Sequence, residues 1–140
     1  MEINKTVCVV GMGYIGLPTA ALLANRGYKV HGVDVSKHAV DTINEGKIHI
    51  VEPELDTFVS SAVNSGMLSA HLEPAEADIF LVGVPTPFHH DQLNEVTNSP
   101  VPNLDYVKSA TKAIAPYVKP GNLVLLESTS PVGTTEMMAE

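Results

Sequence analysis

The run Thr6-Val7-Cys8-Val9-Val10 leads directly into Gly11-Met12-Gly13-Tyr14-Ile15-Gly16. Five residues rich in β-branched side chains read as a buried strand, and G-x-G-x-x-G follows at its end. Leu17-Pro18-Thr19-Ala20-Ala21-Leu22-Leu23-Ala24 then reads as a helix. A glycine motif alone is a weak signal, and the strand before it and helix after it give it weight. In such a unit Gly11 permits a tight turn, Gly13 lets a pyrophosphate approach bare backbone, and Gly16 lets helix and strand pack closely. The unpaired N–H groups at the positive end of the helix complete an anion site.

Further along, Lys29 to Val35 reads KVHGVDV, a second strand ending in Asp34, 18 residues past Gly16. An acid at this distance accepts hydrogen bonds from the adenosine ribose of NAD, and its charge repels the extra phosphate of NADP. The reading set against this one is a glycine-rich turn in an α/β protein that binds no nucleotide. Strand, helix and acid together favour NAD.

The pattern continues as a helix over 37–45, a helix over 53–64, a short strand near 68–72 and a strand over 78–84. An irregular loop over 85–103, a helix over 104–115, a strand over 122–127 and a new helix from 134 follow. Alternating strands and helices imply an α/β fold, a Rossmann-type doubly wound parallel sheet between two helical layers. Gly27 is expected to cap the first helix, and Pro53 to occupy the first turn of the third, flanked by Glu52 and Glu54.

The chain has 140 residues, 44% hydrophobic and 17% charged, which is globular composition for one domain. A net charge of −8 argues against nucleic acid or an anionic membrane as partner. The single cysteine excludes an internal disulfide framework and fits a reducing cytoplasm. There is no signal-peptide pattern, and charges or prolines interrupt every apolar run before transmembrane length. Thr134 to Glu140 begins a helix without a stop signal, so residues 1–140 are expected to be an N-terminal fragment.

Ligands of open parallel sheets bind outside the carboxyl ends of the strands, at the switch in strand order. Four segments end strands on that edge: the glycine loop, Asp34 to Ser36, Val84 to Phe88, and Glu127 to Gly133. Thr86 and Thr129 offer hydroxyls suited to ribose or carboxamide groups, or they cap turns, and position alone does not decide. Glu127 either positions water or caps a turn.

The stretches GMGYIGLPTAALLA, GVDVSKHAVDTINEGKIHIVEPEL, VPTPF and LLESTSPVGTTEMMAE resemble the N-terminal part of the UDP-glucose/GDP-mannose dehydrogenase family. Within it they are most similar to the enzymes that act on UDP-N-acetyl-D-mannosamine. The resemblance spans nearly the whole chain and departs at His89 to Val101, where this chain carries a longer loop. It implies oxidation of a nucleotide-sugar C6 alcohol to a carboxylate with two NAD, for surface polysaccharide. A cysteine traps the intermediate aldehyde as a thiohemiacetal. That cysteine and its lysine and asparagine helpers belong to later parts of the family sequence, so no catalytic residue is expected here. The positions matching NAD contacts are Tyr14, Ile15, Asp34, Thr86 and Thr129. NAD, a UDP-sugar in the full-length protein and a homo-oligomer are the implied partners. The rivals are a dehydrogenase for UDP-glucose or another UDP-N-acetyl sugar, a non-catalytic NAD-sensing module, and a β-hydroxyacid dehydrogenase domain. The last usually carries Met where Tyr14-Ile15 stands.

Three tempting features receive plainer readings. Cys8, flanked by valines, is expected to be core rather than nucleophile. His89-His90-Asp91 lacks further ligands at metal-binding spacing and reads as solvated loop, so no metal is expected. Glu52 and Glu54 read as helix-start acids rather than a catalytic pair.

Overall fold

The computed structural model describes residues 4–93 and 100–140, and their side chains except those of 88–93 and 100–102. Strands β1 (Thr6–Val10), β2 (Lys29–Val33), β3 (Leu68–His71), β4 (Ile79–Val82) and β7 (Leu123–Leu126) form one all-parallel sheet in the order β3-β2-β1-β4-β7. The chain winds outward from β1 to β3, then crosses back to β4 on the other side of β1. This reversal between β1 and β4 is the switch point of a doubly wound sheet.

Helices α1 (Gly16–Asn25), α2 (Lys37–Asn44) and α3 (Leu55–Asn64) pack on one face over Val7, Val9, Met12, Val30 and Leu81. Helix α4 (Asp105–Ile114) and the short α5 (Thr134–Ala139) lie on the opposite face, over Cys8, Val10, Phe80 and Val82. The period-2 alternation of β1 sends Val7 and Val9 to one layer and Cys8 and Val10 to the other. Both faces are covered, which is why the strand reads as an unbroken apolar run. Burying each such side chain contributes about 1.5–3 kcal/mol. In α1 the buried positions are Gly16, Leu17, Ala20, Ala21 and Ala24, and the glycine and three alanines among them let the helix lie close to the sheet.

Gly27 has φ 103°, donates to the Ala24 carbonyl and is followed by the Tyr28 N–H on the Leu23 carbonyl. That is the expected left-handed helix end. Two local expectations are corrected. Pro53 lies ahead of α3, whose N-cap is Glu54 with φ 65°. The backbone turns left-handed there to redirect the chain, so Glu52 and Glu54 precede the helix and Asp56 is the acid in its first turn. The stretch read as irregular loop over 85–103 contains a two-stranded antiparallel pair, β5 (Phe88–Leu93) with β6 (Pro100–Pro102). Pro100 and Pro102, which lie within β6 itself, masked that pairing, because proline removes a ladder donor and argues against a strand. Among the described residues no helix is long and apolar enough to cross a membrane.

Candidate functional site

The carboxyl ends of β1, β2, β4 and β7 meet along one edge of the sheet. The backbone stitches them there, with Gly11 N donating to Val33 O at 2.8 Å, Gly83 N to Val10 O at 2.9 Å and Glu127 N to Val82 O at 2.8 Å. The buried Ser128 adds a side-chain tie, its Oγ donating to Val84 O at 2.7 Å.

Two of the three motif glycines are demanded by the fold itself. Gly11 has φ 96°, and a Cβ there would sit 2.6 Å from the Gly83 carbonyl oxygen. A Cβ on Gly16 would overlap the Gly11 carbonyl, so this glycine lets α1 start against the turn. Gly13 differs, because among the described residues nothing beyond its own chain neighbours lies within 4 Å of where its Cβ would be. The protein leaves that space open.

Helix α1 starts without a capping side chain, since its N-cap is Ile15. The first turn is entered through Leu17 N donating to Gly13 O at 3.1 Å, and no described residue accepts from the Tyr14 or Ile15 N–H. Exposed, unaccepted donors at a helix start suit an anion. Tyr14 is 63% exposed and Ile15 38%, so both flank the opening rather than fill the core.

Asp34 stands at the next strand end, half-buried. Its Oδ2 accepts from Met12 N at 3.0 Å and its Oδ1 from Ser36 N at 2.9 Å. These bonds fix the carboxylate at the lip of the glycine loop and leave each oxygen further acceptor capacity. Lys37 does not neutralise it, because its Nζ pairs with Asp41 Oδ2 at 2.6 Å along α2. Ser36 caps α2 by accepting from Ala39 N at 3.2 Å. Val35, almost fully exposed beside Asp34, is an apolar surface that sequence reading did not single out. The bare V-D-V-S string was its signal.

Thr86 and Thr129 lie beyond β4 and β7, 43 residues apart in sequence, and their Oγ1 atoms are 2.9 Å from each other. The expected site residues Gly11, Gly13, Tyr14, Ile15 and Gly16 thus form one continuous loop at the centre of this edge. Asp34 lies on the β2 side of the loop, and the two threonines lie on the β4–β7 side. Glu127 neither caps a turn with its side chain nor stands free, because its Oε1 accepts from Thr19 Oγ1 at 2.5 Å.

Cys8 is fully buried, and burial pushes its thiol above the ordinary range, with a weaker opposing pull from the Ala75 backbone. A thiol held neutral in the core is no nucleophile. The side chains of His89, His90 and Asp91 lie outside the described residues. Among the described residues, no group of three or more His, Cys, Asp or Glu is placed to hold a metal.

Residues 5–140 match the model of the UDP-glucose/GDP-mannose dehydrogenase family, NAD binding domain. The chain belongs to this family. A UDP-N-acetyl-D-mannosamine dehydrogenase of Campylobacter jejuni is 58% identical over 139 residues, 99% of this chain and 32% of that protein. An NDP-N-acetyl-D-galactosaminuronic acid dehydrogenase of Ralstonia nicotianae is 54% identical, over 97% of this chain and 30% of its own length. The solved structure of the UDP-N-acetyl-mannosamine dehydrogenase of Staphylococcus aureus superposes with a TM-score of 0.84 at 36% identity, covering 94% of this chain and 31% of that one. The chain spans about a third of the length of the curated relatives it matches. For a UDP-glucose/GDP-mannose dehydrogenase domain the cofactor is NAD. The residues present fit it: an uncapped helix start for the pyrophosphate, open space over Gly13, and a fixed carboxylate one strand away.

Proposed function

We propose that residues 1–140 form the NAD-binding domain of a nucleotide-sugar 6-dehydrogenase, with UDP-N-acetyl-D-mannosamine as the sugar oxidised to its uronate. The observation that carries the reading is Asp34 Oδ2 on Met12 N at 3.0 Å, which joins the acid of β2 to the glycine loop of β1. NAD supplies the hydride acceptor. The chain's own contribution is binding and orientation. Backbone N–H groups of Tyr14 and Ile15 hold the pyrophosphate over Gly13, while Gly11 and Gly16 keep the loop tight. Asp34 accepts from the adenosine ribose hydroxyls, with Val35 beside the adenine. Thr86 and Thr129, joined at 2.9 Å, orient the nicotinamide half.

The sugar-reading and covalent steps are assigned to parts of the relatives' sequence that this chain does not span. Two relatives named for N-acetylated sugar nucleotides, at 58% and 54% identity, support a 2-acetamido sugar over UDP-glucose. A role in polysaccharide synthesis and a cytoplasmic location follow from this reading. Homo-oligomerisation belongs to it as well, supported by Leu123 and Leu125, which are 50% and 43% exposed on the edge strand β7. The test is turnover by the full-length protein. Two NADH per UDP-N-acetyl-D-mannosamine consumed supports the reading, and faster consumption of UDP-glucose contradicts it.

A further inference from the structure

Glu127 and Thr19 are 108 residues apart in sequence, yet their side chains meet at 2.5 Å. Thr19 lies in the first turns of α1, where its Oγ1 also approaches the Ile15 carbonyl at 3.2 Å. Glu127 follows β7, beyond the central β1–β4 switch. The contact therefore reaches from the helix behind the glycine loop to the edge strand, and it fixes a carboxylate on the sheet's ligand edge. A free glutamate would remain hydrated and mobile, because ordering its rotamers costs up to about 1.5–2 kcal/mol.

Strand order decides which part of the cofactor meets this charge. With the adenosine ribose on Asp34 after β2 and the pyrophosphate on the loop after β1, the dinucleotide is committed to one direction along the edge. Its remaining half extends over the ends of β4 and β7, where Thr86, Glu127 and Thr129 stand. That half carries the only group of the cofactor whose charge changes in the reaction, because the nicotinamide ring is cationic in NAD and neutral in NADH. We propose that Glu127, held by Thr19, is a positioning charge that makes this domain favour the oxidised ring and release the reduced one. The inference rests on the binding reading above. It explains why a carboxylate is secured on an edge that otherwise holds polyanions: its attraction acts on the ring.

The experiment is calorimetry of this chain with NAD, NADH and ADP-ribose, for the wild type, Glu127→Gln, Thr19→Val, Thr19→Ser and Asp34→Ala. One exposed charge pair corresponds to about a threefold change in affinity. Glu127→Gln should lower NAD affinity about threefold, leave NADH and ADP-ribose unchanged, and make the NAD effect insensitive to added salt. Thr19→Val should lose part of the same discrimination, and Thr19→Ser, which keeps the hydroxyl, should restore it. Equal weakening of all three ligands by Glu127→Gln would make the contact a purely structural brace and overturn the proposal. Equal strengthening would mean that the carboxylate repels the pyrophosphate, which also overturns it. Asp34→Ala separates the two layers of argument. If it weakens all three ligands while Glu127→Gln leaves the NAD-to-NADH ratio unchanged, the binding reading stands and this inference fails. If it weakens none, the binding reading itself fails.

Discussion

The thioether of Met12 occupies the space above Gly32. A Cβ on Gly32 would lie 2.6 Å from Met12 Cε and 2.9 Å from its Sδ. Met12 is fully buried, so the second residue of the glycine loop is anchored through the middle of β2 while its N–H holds Asp34. Strand, loop and acid are one packed unit.

Gly32→Ala should therefore act on both stability and binding. Overpacking a full core costs about 1–3 kcal/mol. We expect the unfolding free energy to fall by that amount, read as a lower urea midpoint, together with weaker NAD binding as Met12 shifts and its N–H leaves Asp34. An unchanged midpoint would show that Met12 relocates freely and does not brace the loop.

The motif glycines should fail in different ways. Gly13→Val meets open space in the protein, so it should fold with near-native circular dichroism and lose NAD, whose pyrophosphate needs that space. Gly16→Ala would clash with the Gly11 carbonyl and should lose the folded state itself. Retained NAD binding by Gly13→Val would place the dinucleotide elsewhere.

These contrasts mark what was legible in the sequence. The glycine loop, the acid after β2 and the parallel sheet were readable, because each is announced by local spacing and strand-length apolar runs. The partners that secure the site were not. Gly32 under Met12, Thr19 on Glu127 and Ser128 on Val84 join residues from different strands and helices, and such contacts leave no periodicity in the chain. The left-handed Glu54 was also hidden, since a glutamate carries no turn signal and Pro53 pointed two residues too early.

Histidine titration gives a pH prediction. Burial pushes the His71 ring below its ordinary range, and the His31 ring, stacked on it at 3.8 Å, pushes the same way. Burial also lowers His49, and His38 adds to that while Asp34 opposes it. The folded chain then binds fewer protons than the unfolded one below about pH 6.5. Stability from these groups is fully present above that pH and is lost as pH falls through the window beneath it. Urea midpoints should drop between pH 7.5 and 5.5, and His71→Gln should reduce the drop. A midpoint independent of pH in that range would contradict the assignment.

The chain by itself should not oxidise a sugar nucleotide. Its one thiol, Cys8, is buried and held neutral, and it faces the α4 layer away from the ligand edge. Incubation with NAD and UDP-N-acetyl-D-mannosamine should give no rise in NADH absorbance over a protein-free control. Turnover would require catalytic groups within these residues.

The central claim is that Asp34 and the glycine loop hold NAD as one site, and calorimetry with NAD and NADP tests it most directly. The wild type should prefer NAD, because no lysine or arginine among the described residues pairs with Asp34 and Lys37 is engaged with Asp41. Loss of hydrogen bonds to a charged acceptor costs about 1.5–3 kcal/mol, so Asp34→Ala should weaken NAD roughly 10- to 150-fold and narrow its lead over NADP. Equal or tighter binding of NADP by the wild type, or an Asp34→Ala variant that keeps full NAD affinity, would contradict the account.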